Sequence, residues 1–167
     1  AYEPGSTFKL ASLLVALEDG KIDTSSIVDT KNGVFEFYDR KMRDSNAHRG
    51  GHGKISIARA FEVSSNIGIA RTIVDLYEDK PQEFIDRLAR LGVSNKLDFE
   101  LLGEAEPWIK NSNDSTWSGV SLPWISYGYE LKMSALQILA LYNAVANDGE
   151  LVKPYLVDRI QRGEQIV

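Results

Sequence analysis

A chain of 167 residues with 43% hydrophobic content carries enough apolar surface for one core. A net charge of -5 and a pI near 5.1 argue against a nucleic-acid face, and the absence of cysteine excludes disulfides, thiolate metal sites and cysteine nucleophiles. No apolar run reaches the ~20 residues that span a bilayer, so no segment of these residues is expected to insert into a membrane.

The first predicted helix runs from about Ser6 to Glu18. Phe8, Leu10, Ala11, Leu13, Leu14, Val15 and Leu17 leave almost no polar face, which predicts a place in the centre of the domain. Pro4 and Gly5 break the chain before it, and Ser6 is the expected N-cap. GVFEFYDRKMRD alternates over 34–37 and again around Arg40 to Asp44, the pattern of a small polar β-hairpin at about 33–44. NAHRGGHG is a loop by its glycines. A short helix is expected from Ser56 to about Val63; Ser64-Ser65-Asn66 then interrupts, and a further helix runs from Ile67 to Tyr77. Pro81 opens another through Phe84, Leu88 and Leu91, which Gly92 ends.

Residues 93–128 read as irregular and hold all three tryptophans. A connection of that length points to function or to surface wrapping. Ser134 and Gln137 form a capping box ahead of a helix to about Asn147. The tail reads as a strand over 155–160, a turn at 162–164 and a second strand at 166–167. A hairpin arm without neighbours is not stable in water. The expectation is therefore a single partial domain over 1–167, mainly α with small β-hairpins, cut at both ends from a larger α/β body whose central sheet is largely missing.

Two short stretches could carry chemistry. In EPGSTFK, Ser6 and Lys9 stand three apart, so hydroxyl and ammonium share one face at a helix end. An acidic residue is preferred where Lys9 falls, and a lysine pushed into an apolar setting beside the positive end of a helix dipole loses stability as the cation. Such a lysine can take a proton from serine. The plain structural reading is that Ser6 caps and Lys9 bends out to solvent. The second stretch, Ser64-Ser65-Asn66, offers two hydroxyls and an amide at one kink, or else a helix end followed by a cap.

Together, YEPGSTFK with its S-x-x-K and FEVSSNIGIA with its S-x-N resemble the transpeptidase domain of penicillin-binding proteins. SYGYELKMSALQILALYNAVANDGELVKPYLV is similar to the family's glycine turn, Ser/Thr-x-x-Gln helix start and Ala-Asn-x-Gly helix end. The resemblance covers nearly the whole chain and is nearest to the monofunctional class, including the cell-division septal transpeptidase. It implies the helical part of the α/β fold shared by penicillin-binding proteins and serine β-lactamases. It also implies that Ser6 is the acylated nucleophile, Lys9 its base, Ser64 a proton relay and Asn66 a holder of the donor peptide. The implied partners are a D-Ala-D-Ala stem peptide of peptidoglycan and β-lactams, with the parent protein anchored in the cytoplasmic membrane, this domain on its outer side, beside cell-wall or division machinery.

The family's third motif, Lys-Thr/Ser-Gly, is absent; Lys31-Asn32-Gly33 has the wrong order and middle residue and reads as a turn. The missing strand is expected just past Val167, and a chain without it is expected to be close to inert. His48 and His52 lack the carboxylate of H-E-x-x-H, and GGHGK lacks the glycine spacing of a phosphate loop, so no metal or cofactor is expected. Two alternatives remain open: a serine β-lactamase, although no Glu-x-x-Leu-Asn is present, and a non-catalytic helical module, a β-lactam sensor or partner-binding scaffold.

Overall fold

The computed structural model describes residues 1–100, 102–159, 161–162 and 165–166. A 3-10 turn, Gly5–Phe8, runs straight into helix α1, Lys9–Glu18. Strand β1 (Ile27–Asp29) is followed by the pair β2 (Val34–Phe37) and β3 (Arg40–Arg43), then β4 (Lys54–Ser56). Three helices follow, α2 (Ile57–Glu62), α3 (Asn66–Tyr77) and α4 (Pro81–Arg90). The second half holds β5 (Trp108–Ile109), α5 (Ser121–Ser126), β6 (Leu131–Lys132), α6 (Ala135–Ala146), β7 (Gln161–Arg162) and β8 (Gln165–Ile166). Among the described residues the strands form four antiparallel pairs, β1 with β4, β2 with β3, β5 with β6 and β7 with β8.

The central helix is α3, which packs against α1, α2, α4, α5, β1 and β3. Ile67, Ile69, Ala70 and Ile73 are fully enclosed, each isoleucine contributing about 1.5–3 kcal/mol by leaving water. The expectation that α1 takes this position is corrected. Phe8, Ala11 and Val15 join the main core, while Leu10, Leu14 and Leu17 stay half-buried along a groove shared with Ile57 and Phe61. An all-apolar helix can lie at the boundary of what surrounds it.

Three other expectations change. Ser6 does not cap α1: Pro4 and Phe8, the residues before the turn and before the helix, already have helical backbone angles. A capping side chain needs an extended residue at that point, and Ser6 lies inside the turn. Residues 93–128 contain α5, in which Pro123 is the third helical residue, where its missing N–H costs no intrahelical bond. The tail carries no strand over 155–159; its paired residues are 161–162 and 165–166, and the expected turn at 163–164 lies outside the described residues. The β2–β3 pair falls within the span marked by the alternation, and the α6 capping box forms through Ser134 and Gln137.

Candidate active site

The turn that carries Ser6 is held at several points. Tyr2 and Met133 exchange backbone hydrogen bonds of 2.9 and 3.0 Å, and the Gly5 N–H donates to the Gly128 carbonyl at 3.0 Å. Both glycines sit at positive φ, +57° and +95°. A Cβ on Gly128 would lie 2.1 Å from the Gly5 oxygen, so only glycine permits this approach. The Thr7 hydroxyl donates to Pro4 O at 2.9 Å, and the Tyr142 hydroxyl, from α6, donates to Thr7 O at 3.0 Å. Ser6 stands exposed on this turn, and its carbonyl accepts the backbone N–H of Lys9.

The opposite wall is the junction of α2 and α3. Ser64 has φ of +53°, a left-handed conformation that costs a non-glycine residue about 1–2 kcal/mol. Its geometry turns both its carbonyl and its hydroxyl toward α1. Ser65 then caps α3 by accepting the Gly68 N–H at 2.9 Å. Close packing of α2 on α3 depends on Gly68, where a Cβ would meet Ala60 Cβ at 2.9 Å.

Lys9 joins the two walls. It is 1% exposed, and Nζ donates to Ser64 O at 2.7 Å, Ser64 Oγ at 2.9 Å and Asn66 Oδ1 at 2.7 Å. Those three bonds occupy every proton of an ammonium. The reading in which Lys9 bends out to solvent is thus excluded. Asn66 is oriented from its other side, since Nδ2 donates to Arg43 O at 3.0 Å. Burial pushes the Lys9 ammonium down from 10.5 to about 8, against the opposing pull of Asp44. Burial is the largest cause, in line with the apolar setting expected from the sequence.

Lys9, Ser64 and Asn66 therefore meet in one hydrogen-bonded cluster, with Ser6 one helical turn before Lys9. No hydrogen bond among the described residues involves the Ser6 hydroxyl. Sequence reading missed Asp44, Gly128 and Tyr142. Asp44 is buried at the end of β3 and accepts from Ser65 Oγ at 2.6 Å and from the Ile67 N–H at 3.0 Å. A lone aspartate closing a polar hairpin gives no signal of such a partner. His48 lies in a 3-10 turn, Ala47–Arg49, and His52 in the loop after it; among the described residues no group of three His, Asp or Glu could hold a metal.

Residues 1–166 match the penicillin binding protein transpeptidase domain, and the chain belongs to that family. It is 28% identical to a peptidoglycan D,D-transpeptidase FtsI homolog of Mesostigma viride over 94% of this chain and 27% of that protein. It is also 28% identical to penicillin-binding protein PbpB of Mycolicibacterium smegmatis, over 93% of this chain and 23% of that protein. The fold is similar to the TP domain of penicillin-binding protein 3 from Burkholderia pseudomallei, with a TM-score of 0.81 and 25% identity over 99% of this chain and 46% of that one. The chain thus spans about a quarter of the length of these curated relatives, and its fold is the helical portion of the transpeptidase domain.

Proposed function

We propose that this chain carries the serine and lysine half of a peptidoglycan D,D-transpeptidase site of the monofunctional class, in the cell-division septal branch. The relatives' names support the branch, and the observation that carries the chemistry is the buried Lys9 held between Ser64 and Asn66. Ser6 Oγ attacks the carbonyl carbon between the two D-Ala residues of a stem peptide and passes its proton to neutral Lys9. The C–N bond breaks, and the leaving D-Ala amine takes a proton relayed through Ser64. An acceptor amine then displaces Ser6 from the acyl group, and Ser6 regains its proton. A β-lactam enters by the same first step and stays bound.

The hydrogen-bond inventory suits these roles. Ser64 O and Asn66 Oδ1 can only accept, so a neutral lysine keeps both bonds with its two protons. Ser64 Oγ can reverse and donate to the freed lone pair, which makes Ser64 the natural relay. In this reading the half-buried Asn66 also meets the donor peptide. The parent protein is membrane-anchored, with this domain on the outer side beside the division machinery; no described helix is long and apolar enough to cross a membrane.

Incubation with a labelled penicillin, followed by intact mass and peptide mapping, should place one adduct on Ser6. An adduct elsewhere, or none even in a longer chain carrying Lys-Thr/Ser-Gly, overturns the reading. The longer chain is expected to acylate roughly 10²–10³ times faster, because it adds an oxyanion donor.

The acylation rate should also depend on pH through Lys9. The neutral amine is the base, so the rate rises as pH passes upward through about 8 and levels off above it. Stopped-flow acylation between pH 6 and 10 measures this limb; a rate already flat at pH 7 removes Lys9 as the base.

A further inference from the structure

Behind the Lys9 cluster lies a carboxylate that the reaction as described does not use. Asp44 is 4% exposed, and its two oxygens are divided between two partners on the same turn, Ser65 Oγ and the Ile67 N–H. These flank Ser64 and Asn66, the residues that hold Lys9. The preceding residue, Arg43, supplies the carbonyl that orients the Asn66 amide. The end of β3 thus touches the 64–67 segment at three points.

Resting on the transpeptidase reading above, we propose that Asp44 is the positioning residue of this site. It fixes the left-handed Ser64 turn from behind, and its charge keeps Lys9 seated between Ser64 and Asn66. Several charged groups lie on the elements around Lys9: Arg43 at the end of β3 and Asp44 just past it, Glu62 at the end of α2, and Glu3 and Glu130 beside the Gly5 turn. Among them, Asp44 acts on Lys9 in the direction that favours the ammonium. A carboxylate that merely capped α3 would need no relation to Lys9.

Two variants separate positioning from capping. Asp44→Asn keeps shape and removes charge, so Lys9 holds its proton less firmly. Its titration, followed by NMR of the lysine Cε and assigned with Lys9→Met, should move to lower pH by roughly one unit. The acylation limb should move with it, while the plateau falls roughly ten-fold as the turn loosens. Ser65→Ala breaks the bond but leaves the charge: Lys9 should titrate where it does in the parent, with the plateau again lowered. This second variant keeps the test intact should Asp44→Asn fail to fold.

An unmoved Lys9 titration in Asp44→Asn, or an unmoved plateau in Ser65→Ala, overturns the proposal. If Lys9 titration moves as expected but Ser6 is never acylated, even in a longer chain carrying Lys-Thr/Ser-Gly, the coupling of Asp44 to Lys9 holds and the transpeptidase reading falls.

Discussion

Lys9→Met should lower the acylation of Ser6 by roughly 10²–10⁴-fold while leaving the protein folded, because it deletes the base and little else. Methionine is unbranched and can take the buried place of the Lys9 stem. Two opposing terms act on stability. Ser64 O and Asn66 Oδ1 lose their donor, at a cost below the ~1–3 kcal/mol of a fully buried acceptor, because Ser64 is exposed and Asn66 half-buried and water can reach them. Against this, the variant no longer buries a cation whose depressed titration shows that burial is costly. The two offset, so urea midpoints should differ little when measured near pH 7. A variant that unfolds as sharply as it loses acylation would mean that Lys9 holds the walls together and does no proton transfer.

The same substitution carries a stability signature. The folded-state value of Lys9 is lowered, so between about 8 and 10.5 the unfolded chain binds more protons than the folded one. The cost of burying the Lys9 cation is therefore fully present below about 8 and is relieved as pH climbs through the window, so stability rises with pH there and does not vary with Lys9 below it. In Lys9→Met this rise should vanish.

Gly128→Ala is expected to cause the largest structural loss, roughly 3–5 kcal/mol, from two causes acting together. The backbone at φ +95° strains any L side chain, and the new methyl would meet Gly5 O at 2.1 Å and Gly5 N at 2.6 Å. Neither contact can relax by turning a side chain, since both partners are backbone. Gly5 must move, and Ser6 follows it away from Lys9. Urea denaturation with labelled-penicillin acylation measures both effects. A fully folded Gly128→Ala that acylates normally would show that the 5–128 contact is dispensable. Gly103→Ala, at a position where a Cβ meets nothing within 4 Å, is the control for the cost of positive φ alone.

Most helices were legible because their signals are local. The Ser134/Gln137 capping box, Pro81 at the start of α4 and the Ser-Asn break between α2 and α3 each declare a boundary within a few residues. The cap assigned to Ser6 failed for a reason outside that window. Gly5 is tied to Gly128, so the chain enters α1 through a tight turn. The β1–β4 pair was invisible for the same reason, as Ile27 and Ser56 meet across an intervening hairpin. At the site, S-x-x-K and S-x-N named Ser6, Lys9, Ser64 and Asn66, yet nothing in the letters says that Lys9 spends all three protons on the second stretch. Asp44 and Tyr142 were hidden because one carboxylate or one phenol carries no spacing of its own. Only the folded chain gives them partners.

The sequence separation between Lys9 and its partners, 55 residues to Ser64 and 57 to Asn66, has a consequence during synthesis. A ribosome delivers residues in order, at about 5–20 per second. Ser6 and Lys9 emerge several seconds before the turn that seats the amine, and Gly128 and Tyr142, which fix the serine, come later still. Until α3 docks, Lys9 is an ordinary hydrated amine and Ser6 an ordinary alcohol. On the reading proposed for Ser6 and Lys9, reactivity is therefore timed by the chain itself: the nascent polypeptide stays chemically silent, and the serine is armed only when the helices that surround it are already in place.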